Sequence, residues 1–145
     1  MKITIPIEPV SQLRPRATNR GGHTRVYDPP KVKTYKDSVR KFLEDYPIKR
    51  FSDTELDVKV KFYLPVQKSI SKKERERRLS NVHRPKIKAD LDNLAKSLLD
   101  ALNGLVWDDD ARIVHLELDK YYTEQPRTEI EVCERTNQCK KNGET

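Results

Sequence analysis

The sequence predicts an α+β domain, with two main helices packed against one face of a small mixed or antiparallel sheet. Two observations predict it. Segments 31–46 and 90–105 repeat apolar residues at three- and four-residue steps, the period of an amphipathic helix. Four other short segments carry apolar residues at alternate positions, the period of a strand with one buried face. The order is strand, loop, helix, strand, helix, strand, strand. A single domain is expected over residues 1–133, followed by a polar tail over 134–145.

In chain order, "KITIPIE" alternates Ile3, Ile5 and Ile7, and Pro6 marks an edge strand or a strand end. The following "PVSQLRPRATNRGGHTRVYDPP" is polar and turn-rich, a loop in which Arg14, Arg16, Arg20 and Arg25 surround Gly21 and Gly22. Such arginines suit phosphate binding, or simply a solvated loop. "KVKTYKDSVRKFLEDY" places Tyr35, Val39, Phe42, Leu43 and Tyr46 at helical spacing, and Pro47 ends the run. "ELDVKVKFYL" is the clearest strand of the chain. Ser71 and Glu74 make a capping box, so a short surface helix or a mobile arm is expected through "KKERERRLS". From Leu91 to Leu105 the leucines form a wide apolar face, and Asn103-Gly104 is a helix stop. "ARIVHLELDKYY" and "RTEIEVCE" supply two last strands.

Only 34% of the 145 residues are hydrophobic and 37% are charged. So lean a core gains from burying further surface in an oligomer, which motivates the expectation of a homodimer. No apolar run is long enough to span a membrane. "MKITIPIEPV" lacks the apolar stretch of a signal peptide, so a cytoplasmic protein is expected. Cys133 and Cys139 match no zinc or redox spacing and are expected to be reduced thiols.

The net charge of +7 points to an anionic partner, most often nucleic acid. Its distribution says more. Residues 67–88 carry nine cations (Lys68, Lys72, Lys73, Arg75, Arg77, Arg78, Arg84, Lys86 and Lys88) against Glu74 and Glu76. Nine minus two equals the net charge of the whole chain. The stretch from Asp90 to Asp110 then carries six Asp and one Lys, a balance of −5. Either the two runs neutralise each other as a solvated surface, or a phosphate grip leads into a metal-binding acid cluster. A nuclease needs the second arrangement.

Within the acidic run, one of Asp90 and Asp92 can serve as an N-cap, but not both. If the strand after Ala111 pairs beside the helix start, Asp109 or Asp110 returns near Asp90 and Asp92. Three converging carboxylates repel each other unless a divalent cation lies among them. An oxygen-only ligand set favours Mg²⁺, with Mn²⁺ as a substitute, over zinc. Lys96 lies one turn beyond Asp92. It either pairs with Asp100 across a helical turn or stabilises charge on a reacting phosphate.

The stretch "DLDNLAKSLLDALNGLVWDDDARIV" resembles the core motif of the RusA-type Holliday junction resolvases, which are crossover junction endodeoxyribonucleases. It carries D-x-D-N-L, a Lys four residues after the second Asp, "DAL", and a turn with an aromatic residue and "DD" before a strand. "RPRATNRGG" and "VYDPPKVKTYKDSV" extend the likeness toward the N-terminus. The resemblance implies an α+β fold and a Mg²⁺-dependent homodimer that nicks a four-way DNA junction symmetrically in recombination and repair. It implies Asp90, Asp92 and Asp110 as catalytic carboxylates and metal ligands, Asp109 as the adjacent acid, and Lys96 as the catalytic lysine. Members of this family are often carried by prophages. Many have a basic residue directly before the first Asp, where this chain has Ala89.

The DNA-gripping residues expected are Arg14, Arg16, Lys72, Lys73, Arg75, Arg77, Arg78, Arg84, Lys86 and Lys88. Two other functions compete: a catalytically silent branched-DNA-binding module, and a general flap or fork nuclease.

Overall fold

A computed structural model describes residues 1–135. Most of the expected tail, 134–145, lies outside the described residues. The order is β1 (Lys2–Ile5), β2 (Arg16–Arg20), β3 (His23–Tyr27), α1 (Pro30–Glu44), β4 (Leu56–Pro65), α2 (Lys72–Leu79), α3 (Leu91–Leu102), β5 (Ile113–Thr123) and β6 (Arg127–Glu134), with a single 3-10 turn at Asp110–Arg112.

The main sheet is mixed, with strand order β1-β6-β4-β5. β6 pairs antiparallel with both β1 and β4, while β4 and β5 run parallel. A parallel pair requires a long crossover. Residues 66–112, which contain α2 and α3, supply it. The alternation in β4 does what its period predicts. Leu56, Val58, Val60, Phe62 and Leu64 are buried, while Lys59 and Lys61 face solvent. On the buried face lie Tyr35, Val39 and Leu43 of α1 and Leu94, Leu98, Ala101 and Leu102 of α3. Tyr35 is thus a core residue, and burial pushes its phenol above its ordinary pKa.

Two local features follow the sequence closely. Ser71 Oγ accepts a hydrogen bond from Glu74 N at 3.2 Å and starts α2. Asn103 closes α3, and Gly104 adopts φ +82°, a left-handed conformation that costs glycine little. The chain then turns through Trp107, which is fully buried, and is pinned by Phe51: Phe51 N donates to Val106 O (2.9 Å) and Asp108 N to Phe51 O (3.1 Å).

Two expectations require correction. The arginine-rich loop contains a β-hairpin, β2–β3, turned at Gly21 and Gly22 with φ of +61° and +78°. Both of its strands are polar and exposed, so no buried face marked them as strands. Cys133 is disulfide-bonded rather than a reduced thiol; Cys139 lies outside the described residues.

Candidate functional site

The polar side of α3 organises the site. Asp90 occupies the N-cap position, yet its side chain caps nothing. Asp92 stands in the first turn. Both are exposed and, among the described residues, neither side chain has a hydrogen-bond or ion-pair partner. The helix N-terminus favours their negative charge, but it does not neutralise them. Lys96, one turn on, is likewise exposed and unpaired. Its alternative role is not taken up, because Asp100 pairs instead with Lys36 of α1 at 3.2 Å.

The start of α3 is held in place from two sides. Lys120 Nζ of β5 donates to Ala89 O at 3.0 Å, while Gln12 N donates to Asn93 O at 2.9 Å. Gln12 Nε2 also donates to Asp28 Oδ1 at 3.0 Å, and Asp28 accepts from the buried Lys36 at 2.8 Å. The Lys36 hydrogen bond, ahead of the one from Gln12, holds the Asp28 carboxyl below the ordinary carboxylate range.

The acid triplet follows the other end of α3. Asp108 lies in the bend directly after Trp107. It is bound by Arg112 at 3.3 Å and accepts from Asp109 N at 2.9 Å, and the arginine lowers its pKa. Asp109 caps the 3-10 turn by accepting from Ala111 N at 3.0 Å, which lowers its pKa. Asp110 donates its backbone N–H to Asn103 Oδ1 at 3.1 Å. Desolvation raises its carboxyl pKa, and the adjacent Asp109 and Asp100 add to the effect.

Asp110 therefore lies near Asp100 and Asn103, at the opposite end of α3 from Asp90 and Asp92. The twelve residues of α3 span about 18 Å. The expected closure of the triplet onto the helix start does not occur within one chain. Among the described residues, no three His, Cys, Asp or Glu side chains are close enough to hold a metal ion. The reason is the path of β5. It begins where α3 ends and runs back alongside, so it is Lys120, late in the strand, that reaches Ala89. The oxygen donors suit Mg²⁺ chemically, but within the chain they lie in two separate groups, one at each end of α3.

The basic segment also divides. Arg75 pairs with Glu124 at 2.8 Å. Arg78 pairs with Glu74 at 3.0 Å and lies over the Tyr122 ring at 4.8 Å. Arg84 pairs with Asp119 at 2.9 Å and covers Tyr121 at 4.2 Å. Arg77 makes a looser 3.7 Å contact with Glu74. These bonds fix the segment against β5, so it is a bound surface helix and not a free arm. Lys72, Lys73, Lys86 and Lys88 are exposed and have no partner among the described residues. The same is true of Arg14 and Arg16, and of Arg20 and Arg25, which the sequence offered only as loop arginines.

An α+β fold that carries, among its described residues, exposed lysines and arginines without acidic partners has the layout of a protein acting on nucleic acid. The chain belongs to the RusA endodeoxyribonuclease family, whose model, described as "Endodeoxyribonuclease RusA", matches residues 6–133. It is also 37% identical over 136 residues to the uncharacterized protein YqaN of Bacillus subtilis (strain 168), an alignment covering 92% of this chain and 96% of YqaN. No described helix is long and apolar enough to cross a membrane.

Proposed function

We propose that this chain is a Mg²⁺-dependent endonuclease that resolves four-way DNA junctions in recombination and repair, acting in the cytoplasm as a homodimer that makes paired, symmetric nicks. One observation carries the reading: Asp90, Asp92 and Lys96 form a charged group at the start of α3 that has no partner among the described residues, with the exposed Lys86 and Lys88 just before it in the chain. In the proposed roles, Asp90 and Asp92 are the primary metal ligands and Asp110 the third, supported by Asp109. The bound metal would polarise the scissile phosphate and acidify an attacking water. Lys96 would place its ammonium against the charge that builds on the phosphoryl oxygens. The free lysines and arginines would hold the backbone without reading base sequence.

In the proposed dimer the two groups of carboxylates would belong to shared sites. A two-fold axis passing beside the middle of α3, perpendicular to it, would set the start of one helix against the end of its copy. Asp110 of each protomer would then meet Asp90 and Asp92 of the other. Two such sites, related by the same axis, match the two-fold symmetry of a junction.

The test is cleavage of a synthetic four-way junction, a flap and a linear duplex, with and without Mg²⁺. The expected result is junction cleavage that requires metal and is lost in Asp90→Asn and Asp92→Asn, each of which still binds the junction. Cleavage by either variant at the wild-type rate refutes the assignment. Equal cleavage of flap and junction means a general branched-DNA nuclease, and intact strands under tight binding mean a silent junction-binding module.

A further inference from the structure

The β2–β3 hairpin has two unlike faces. In an antiparallel pair, residues directly opposite each other share a face, and successive residues alternate between faces. The register pairs Arg16 with Tyr27, Thr18 with Arg25 and Arg20 with His23, which places these six side chains together. The opposite face holds Ala17 with Val26 and Asn19 with Thr24, and it bears no charge. All three arginines of the ribbon therefore project from one side. No acidic residue occurs between Glu8 and Asp28. The three arginines are exposed and, among the described residues, have no ion pair. In α2 and the turn after it, by contrast, Arg75, Arg78 and Arg84 are all bound to carboxylates.

The base of the ribbon is fixed beside the acids. Asp28 directly follows β3, and Gln12 lies just before β2. Gln12 joins the two sides of the base through its 3.0 Å bond to Asp28. Its backbone N–H also reaches Asn93 O at 2.9 Å, on the residue next to Asp92.

We infer that the β2–β3 ribbon is a DNA-gripping arm, which lays its Arg16, Arg20 and Arg25 face on a phosphate backbone and holds that strand beside Asp90 and Asp92. A two-stranded ribbon fits the major groove of duplex DNA, which is about 12 Å wide. A face of cations without acids favours a polyanion over a second copy of this chain, whose own exposed ribbon is equally cationic. The inference rests on the DNA-acting function proposed above and assigns the main grip to the ribbon rather than to α2.

The test is junction binding without divalent metal, so that no strand is cut, measured over a series of salt concentrations. Two triple or double variants are compared with the wild type: Arg16→Ala/Arg20→Ala/Arg25→Ala, and Asn19→Ala/Thr24→Ala on the uncharged face. The first is expected to bind at least tenfold more weakly and to lose about 2 to 3 from the slope of log affinity against log salt. The second is expected to match the wild type, and both to melt as the wild type does. Equal binding and slope in the arginine variant overturn the inference while leaving the nuclease function standing. A shift of that variant to monomers in sedimentation overturns it in favour of a contact between copies. A wild-type chain that binds no junction refutes both the inference and the function beneath it.

Discussion

Asp92 and Asp110 stand at opposite ends of one helix. Asp92 lies in the first turn of α3, and Asp110 is tethered through Asn103 just beyond the last. If both serve one metal, they must do so from different protomers.

That division gives a complementation test. Asp92→Asn and Asp110→Asn should each be inactive as a homodimer. In a mixed dimer, one site carries both defects and the other is intact. Mixing the two variants should therefore restore nicking of one strand per junction. Continued inactivity in mixed dimers of demonstrated composition would show that the carboxylates act within one chain.

Lys36 ties two acids together from a buried position, at 2.8 Å from Asp28 and 3.2 Å from Asp100. Lys36→Met should cost about 1–3 kcal/mol at pH 7, since it leaves partly buried carboxylates without their charged donor. The sign of the pH dependence follows from Asp28, whose pKa is lowered in the fold. Its contribution is complete above the unfolded value of about 4 and is lost as pH falls through the folded value. Urea unfolding at neutral and acid pH should show the gap between wild type and variant shrinking on acidification.

Trp107 fills the turn that carries the acid triplet, and it is wholly buried. Trp107→Ala should destabilise the protein by about 3–5 kcal/mol through lost contacts and a cavity. Thermal melting measures the loss. It should exceed that of Asp109→Asn, whose side chain is exposed.

Lys72 and Lys73 of α2 have no partner among the described residues, whereas Arg75, through Glu124, and Arg78, over the Tyr122 ring, hold that helix to its surroundings. Lys72→Ala/Lys73→Ala should lower the salt slope of DNA binding by up to about 2 without changing the melting temperature. Arg75→Ala/Arg78→Ala should instead increase hydrogen exchange across α2. The opposite pattern would return the DNA contact to the paired arginines.

Local order was legible in the sequence wherever one face of an element is buried. Alternation in β4 and three- and four-residue spacing in α1 and α3 are direct consequences of burial against a single core. Ser71–Glu74 and Asn103–Gly104 announced the ends of helices because capping chemistry is local. The β2–β3 ribbon left no such trace, since neither of its faces is buried.

The sequence by itself determined the two helices, the strands of the main sheet, the acidic residues on and around α3 and the charge excess beside them. It also determined the RusA family, through a motif contiguous along the chain. Only the tertiary structure decided that β5 returns from the far end of α3, which parts Asp110 from Asp90 and Asp92. It alone decided which arginines are bound to carboxylates and which have no partner among the described residues. Periodicity records burial along a segment, but neither the direction of a returning strand nor the partner of a charge is a local property. Both are set by how separate segments pack.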